Sequence, residues 1–174
     1  MLVVALRSLV ALLLLAALMR HRGESLGRGH WKPGSVVGAL FALEYLLVVE
    51  ALCLTHASHV VVFLYTAPLF AALGLHARLP AERLGPIQWA GILLAFGGIV
   101  VAFLGGGSGT PDAVQGETLL GDALALLAGV AWGATTVAIR CSALSSAPAT
   151  ETLMSQLLGA FVLLLPAAWL TGQW

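Results

Sequence analysis

Six long apolar segments follow one another along the chain and are separated by short polar links. Each segment can cross about 30 Å of hydrocarbon as an α-helix, which takes about 20 residues. A helix satisfies its own backbone hydrogen bonds, as a segment in lipid must. The predicted spans are 2–19, 36–54, 60–77, 87–104, 119–139 and 153–170. The pattern therefore predicts an all-α integral membrane protein with about six transmembrane helices.

The composition agrees with this class. Of the 174 residues, 60% are hydrophobic and only 9% are charged, and the mean hydropathy is +0.99. Such a chain has too few polar residues to cover a soluble globule. Its formal net charge is zero, so it lacks the basic surface that nucleic acid requires, and no nucleic-acid partner is expected.

The charges of the links predict an orientation. The link at 20–32 is the most basic part of the chain and is expected on the cytoplasmic side, by the positive-inside rule. Alternation then places the link at 105–118 outside, and this link contains no Lys or Arg. The same topology puts Met1 outside, which suggests that a preceding helix is missing. A cleaved signal peptide is the alternative for the first segment, but its positive charges follow the apolar run instead of preceding it.

Several short motifs resemble the EamA-type branch of the drug/metabolite transporter (DMT) superfamily. The most specific block runs from Tyr65-Thr66-Ala67-Pro68 to Glu82-Arg83-Leu84-x-Pro86-x-Gln88-Trp89-x-Gly91. Glu50-Ala51-Leu52 and Gly121-Asp122 also fit the pattern. The resemblance implies a fold of ten helices in two inverted five-helix repeats, which moves small organic metabolites or drugs across the bacterial inner membrane by alternating access.

The resemblance also implies an organisation for the chain. Residues 1–104 correspond to a partial first repeat of four helices, 105–118 to an external Gly/Ser/Pro-rich linker, and 119–174 to the start of the second repeat, with two helices. These are the second to seventh helices of the ten, so the first helix and the last three are expected to be missing. A transporter implies no enzymatic reaction, and no cofactor is expected.

Glu44 is the strongest single candidate for a functional residue. Counting along the second span places it near the bilayer midplane, where an isolated carboxylate is costly unless it is protonated or paired. Contact with substrate or coupling to protons is one interpretation. A neutral carboxyl that forms a hydrogen bond across a helix interface is the other.

Pro68 lies in the middle of the third span and predicts a bend there. It has no backbone N–H, so the carbonyl of Leu64 loses its helical donor. Transporters use such interrupted helices as binding sites and hinges, and the neighbouring Tyr65 and Thr66 supply hydroxyl groups. Trp132, on the fifth span, is a further candidate for the substrate path. A bend that only shapes the packing remains the alternative.

Small residues predict close contacts between helices. Gly91, Ala95, Gly98 and Ala102 form one stripe along the fourth span. Gly129 and Gly133 form a small-x-x-x-small pair on the fifth span. Helix packing is the expected role of both groups.

Three readings of the function are open. The first is an exporter or permease for small organic molecules, present here as a partial chain. The second is a truncated membrane remnant that does not transport. The third is an intramembrane metalloenzyme using Glu50, His56 and His59, which is disfavoured because there is no His-Glu-x-x-His pattern and a third ligand is only conjectural.

No metal site is expected. The expected partners are the lipid bilayer and a small-molecule substrate, and formation of a homodimer is left open.

Overall fold

The structure, a computed structural model, describes residues 2–24, 30–105 and 112–171. Within these ranges every regular element is helical and there is no strand. The α-helices are α1 (Leu2–Arg22), α2 (Trp31–Leu54), α3 (Ala57–Leu64), α4 (Ala67–Arg78), α5 (Pro86–Gly105), α6 (Asp112–Arg140) and α7 (Ala149–Thr171). The predicted all-α class is confirmed.

The helices follow the six predicted spans, with two differences. The third span consists of two helices, α3 and α4, because the helix is interrupted at Tyr65 and Thr66. The fifth span begins earlier than predicted, since α6 already starts at Asp112. The predicted linker at 105–118 is therefore helical in its last part, and its positions 106–111 lie outside the described residues.

Five helical segments within the described ranges are long and apolar enough to cross a membrane, and α3 and α4 together count as one of them. The described apolar part of α5, Pro86–Val101, is shorter. Large apolar side chains such as Leu94 and Leu170 are 80% and 88% exposed. In a multi-pass membrane protein these side chains contact lipid instead of water.

The chain forms two compact units. Unit 1 comprises Met1–Leu46 and Thr135–Trp174, and unit 2 comprises Leu47–Ala134. This division differs from the predicted repeats, because α2 and α6 each contribute to both units. The assignment of the repeats to 1–104 and 119–174 stays a prediction.

In unit 1, α1 packs against α7, and their contact contains the buried core residues Ala5, Ala160 and Leu164. The first half of α2 also meets α7, where the backbones of Gly38 and Gly159 touch directly. Glycine is needed at this crossing because a side chain on either helix would force the backbones apart.

Two polar contacts connect the segment after α1 to the start of α7, also in unit 1. The Thr150 hydroxyl donates a hydrogen bond of 2.6 Å to Glu24 Oε2. The Nδ1 atom of His30 lies 3.0 Å from Glu151 Oε1. Glu151 is buried, so His30 supplies one of the partners that its carboxylate requires.

In unit 2, the end of α2, α3 and α6 share a small core of Ala51, Val60 and Ala125. Partly buried apolar side chains, among them Phe63 and Leu124, pack against it. This core lies one to two turns from the interruption between α3 and α4 and helps to position it.

Candidate functional site

The interruption of the third span, residues Tyr65 and Thr66, is the most distinctive backbone feature of unit 2. The N–H of Tyr65 donates to the carbonyl of Val61 at 3.0 Å, which closes the last turn of α3. The N–H and the hydroxyl of Thr66 both donate to the Phe63 carbonyl, at 3.0 and 2.6 Å. The chain thus leaves α3 through a tight turn. This turn is stabilised by two hydrogen bonds from Thr66, one from its backbone and one from its side chain.

Pro68 is the second residue of α4, the helix that follows this break. Proline is well suited to the first turn of a helix, because the N–H that it lacks would have no helical acceptor there. A two-residue interruption of the helix therefore lies just before Pro68, where the sequence predicts a bend, and Thr66 keeps helical backbone angles within it. Tyr65, Thr66 and Pro68, which the sequence singled out together, lie within four residues of one another at this break.

Helix α6 lies directly on the break. A Cβ atom on Gly129 would come within 2.6 Å of Thr66 Oγ1 and 2.9 Å of the Phe63 carbonyl oxygen. One turn further, a Cβ on Gly133 would lie 2.9 Å from the backbone nitrogen of Ala71. Both glycines occupy positions where α6 comes close to the backbone of the third span. A helix-packing role for them stays a prediction.

The candidate residues around the break differ in exposure. Thr66 is fully buried and its hydroxyl is already engaged, whereas Tyr65 is 68% exposed and Pro68 is also exposed. Trp132 is 37% exposed and precedes Gly133 on α6. Thr66 therefore differs from the expectation that its hydroxyl faces a substrate: it stabilises the break, while Tyr65, Pro68 and Trp132 retain accessible surface.

Glu44 belongs to unit 1, whereas the other four candidates all belong to unit 2. It occupies a position close to the middle of α2 and is only 7% exposed. Its Oε2 atom is buried and has no hydrogen-bond partner within the part of the chain that the structure describes. A buried carboxyl oxygen without a hydrogen-bond donor is destabilising by about 1–3 kcal/mol. The presence of such a group at Glu44 therefore requires an explanation.

Tyr45, next to Glu44, makes a contact that the sequence did not suggest. The Arg7 guanidinium of α1 donates a hydrogen bond of 2.7 Å to the Tyr45 hydroxyl. The same guanidinium lies 5.1 Å from the centre of the Tyr45 ring, and the Phe41 ring packs edge-on against that ring at 5.0 Å. These contacts fix α1 on α2 beside Glu44.

A second polar cluster lies where α2, α3 and α6 meet in unit 2. The Asp122 carboxylate is buried, accepts a hydrogen bond of 2.7 Å from the Thr55 hydroxyl, and lies 3.2 Å from His59 Nδ1. The sequence grouped His59 with Glu50 and His56 as conjectural metal ligands, and the contact of His59 with Asp122 was not predicted. The available signals were an acidic residue inside an apolar segment and the place of Gly121-Asp122 in the family pattern.

Metal binding by Glu50, His56 and His59 was the other hypothesis for this region. His56 and His59 do lie together, with their ring centres 5.9 Å apart. Among the described residues, however, no group of three or more His, Cys, Asp or Glu side chains could hold a metal ion.

The small-residue stripe on α5 does not form the close contact expected of it within the described structure. Gly91, Ala95 and Gly98 are exposed, and a Cβ on either glycine would meet nothing within 4 Å. The side chain of Ala102 lies outside the described residues. Small residues at helical spacing allow a close approach but do not supply the opposing helix, so this contact stays a prediction.

The α2–α7 crossing in unit 1 was missed at the sequence level. Gly34 and Gly38 on α2, and Ser155 and Gly159 on α7, are two small-x-x-x-small pairs. A Cβ on Gly34 would come within 2.8 Å of Ser155 Oγ. The same spacing that identified Gly129 and Gly133 would have identified these pairs.

No curated protein and no solved structure matches the chain. Residues 1–104, which run from α1 into α5, match the EamA-like transporter family. This match covers more than half of the chain and agrees with the helical membrane architecture. The chain is therefore a member of the EamA-like transporter family.

Proposed function

We propose that this chain moves small organic metabolites or drugs across the bacterial inner membrane by alternating access, as an exporter or permease. The observation that carries the proposal is the Oε2 atom of Glu44, which is buried close to the middle of α2 and has no donor among the described residues. Membership of a transporter family supports the general class of activity. In this proposal, Glu44 is the residue that binds the transported molecule or the coupled proton.

The surroundings of Glu44 favour a hydrogen-bond donor that binds transiently over one that is permanently part of the protein. A carboxyl group that only joined two helices would have its donor in place, as Asp122 has in Thr55. The missing donor of Glu44 can come instead from a transported molecule, through an amine or hydroxyl group, or from a proton that crosses with it. Such a group binds in one state of the transport cycle and releases in another.

The break at Tyr65 and Thr66 is the proposed hinge. Interrupted helices near the middle of the membrane allow two halves of a helix to tilt independently, and they place polar groups in an otherwise apolar layer. The exposed Tyr65, Pro68 and Trp132 are the side chains that we assign to the substrate path. Thr66 has a positioning role, since its hydroxyl is held by the Phe63 carbonyl.

The proposal is tested by flux through the purified chain in lipid vesicles. A panel of radiolabelled amino acids, nucleobases and cationic drugs is offered with and without an imposed proton gradient, and protein-free vesicles serve as the control. We expect saturable flux of at least one compound class. Flux that never exceeds the control, from protein that inserts and remains folded, would support the non-transporting remnant.

A further inference from the structure

A groove of about 500 Å³ lies in unit 1 between the first part of α2 and the first part of α7. Its floor consists of Gly34, Gly38 and Gly159, where the two backbones come close together. Its outer wall is apolar and half-exposed, with Leu158 at 53% and Val162 at 54%. The floor is deep because three residues there have no side chain.

The groove has one polar end and one apolar end. The polar end is lined by His30, directly before α2, and by Ser35, Glu151 and Ser155 in the first two turns of α2 and α7. The lining residues beyond them are glycine, alanine, valine and leucine. Both helices begin on the side of the membrane that carries the basic link at 20–32. The polar end therefore lies at the predicted cytoplasmic surface, and the apolar end points towards the membrane interior.

We propose that this α2–α7 groove binds one acyl chain of a phospholipid from the cytoplasmic leaflet, with the phosphate group at Lys32. The length of the groove supports this occupant. The lining runs from Trp31 to Ala39 on α2 and from Glu151 to Leu163 on α7. At 1.5 Å per residue these stretches are about 12 and 18 Å long, which matches the depth of about 15 Å of one hydrocarbon leaflet.

The charges at the polar end fit an anionic headgroup. The Lys32 ammonium lies 5.6 Å from the centre of the Trp31 ring, and Trp31 lines the groove. The last turn of α1 adds Arg20, His21 and Arg22 on the same side of the membrane. Tryptophan and lysine are residues that anchor at the headgroup level, and basic clusters there attract anionic lipids.

The acidic groups near this end are already engaged. The Glu151 carboxylate is buried and lies 3.0 Å from the His30 ring. Glu24 accepts the hydrogen bond of Thr150 and lies 4.0 Å from the Arg22 guanidinium. Lys32, which is exposed, is thus the cation that we assign to the phosphate.

Photolabelling tests the site without any requirement for transport. The purified chain is placed in vesicles of phosphatidylethanolamine and phosphatidylglycerol in which some phosphatidylglycerol carries a diazirine in its acyl chain. After irradiation, labelled residues are located by mass spectrometry. We expect labelling of Met154 and Leu158 to exceed, by severalfold, that of Leu94 on α5, which is 80% exposed but outside the groove. Unlabelled phosphatidylglycerol should reduce this excess.

Two matched variants complete the test. Ala39→Phe fills the groove and should abolish the excess, whereas Val36→Phe adds the same ring at an exposed position of α2 outside the groove and should preserve it. Lys32→Gln should reduce labelling by the phosphatidylglycerol probe. Uniform labelling of all lipid-facing helices in the wild-type chain would overturn the proposal, and so would equal labelling of the two phenylalanine variants.

Discussion

Gly129 of α6 and Thr66 of the broken third span are in direct contact, and a Cβ on Gly129 would lie 2.6 Å from the Thr66 hydroxyl oxygen. That hydroxyl is simultaneously held by the Phe63 carbonyl. The hydrogen bond that closes the break and the packing of α6 on the break thus depend on the same side chain. A side chain added at Gly129 is therefore expected to displace Thr66 or Phe63 at the proposed hinge.

Gly129→Ala should therefore lower the thermal stability of the purified protein. The added methyl group must displace Thr66 or the Phe63 carbonyl, and overpacking of this kind is destabilising by about 1–3 kcal/mol. Thermal unfolding in detergent measures the effect. Gly98→Ala is the control, because a Cβ there meets nothing within 4 Å. Equal melting temperatures for the two variants would contradict the described contact.

The α2–α7 crossing predicts a graded response to the same substitution. Gly159→Ala should be more destabilising than Gly34→Ala, because its new methyl group meets the backbone of Gly38, whereas the one at Gly34 meets the Ser155 side chain. A side chain can change rotamer, but two packed backbones must separate. Melting temperatures rank the two variants, with Gly91→Ala as the unhindered control. A larger loss at Gly34 would show that the crossing is misplaced.

Asp122→Ala should destabilise unit 2, since it removes the acceptor of the Thr55 hydroxyl and the carboxylate beside His59. Loss of a partly buried hydrogen bond of this kind is destabilising by about 1 kcal/mol. Glu117→Ala is the matched control, because it removes an exposed carboxylate from the same helix. The two variants are compared by thermal unfolding, and a loss of equal size in both would mean that the cluster contributes nothing specific.

Pro68→Ala should reduce transport while leaving the thermal stability of the protein nearly unchanged. The new N–H lies in the first turn of α4, where an unpaired donor is normal, so the melting temperature should stay close to that of the wild type. The same N–H can pair with the Leu64 carbonyl and favour a continuous helix across the break. Vesicle flux should then fall. Undiminished flux with an unchanged melting temperature would rule out a role for the break as a hinge.

The positions of the helices followed from the sequence because hydropathy and length act locally. A run of apolar residues that must satisfy its own hydrogen bonds in lipid can only be a helix, and Pro68 can only interrupt or bend one. The extension of α6 back to Asp112 did not follow, because the residues before Leu119 are polar and Gly-containing and resemble a link.

The contacts between helices were harder to predict, because a spacing pattern describes one surface and not its partner. Gly129 and Gly98 have the same local signature, yet only Gly129 meets another helix in the described structure. His59 lies 3.2 Å from the carboxylate of Asp122, which is 63 positions away in the sequence. Such pairings depend on how distant helices pack, and a single sequence does not contain that information directly.

The effect of Glu44→Gln on substrate flux in vesicles tests the proposed role of the Glu44 carboxyl group. The substitution preserves size and shape, replaces one carboxyl oxygen by an NH2 donor, and removes the ability to exchange a proton or to pair, as an anion, with a cationic group. Glu117→Gln, at an exposed acidic position, is the matched control. We predict that Glu44→Gln abolishes flux in correctly folded protein while Glu117→Gln retains it. Flux of Glu44→Gln equal to that of the wild type would contradict the proposed function of this carboxyl group.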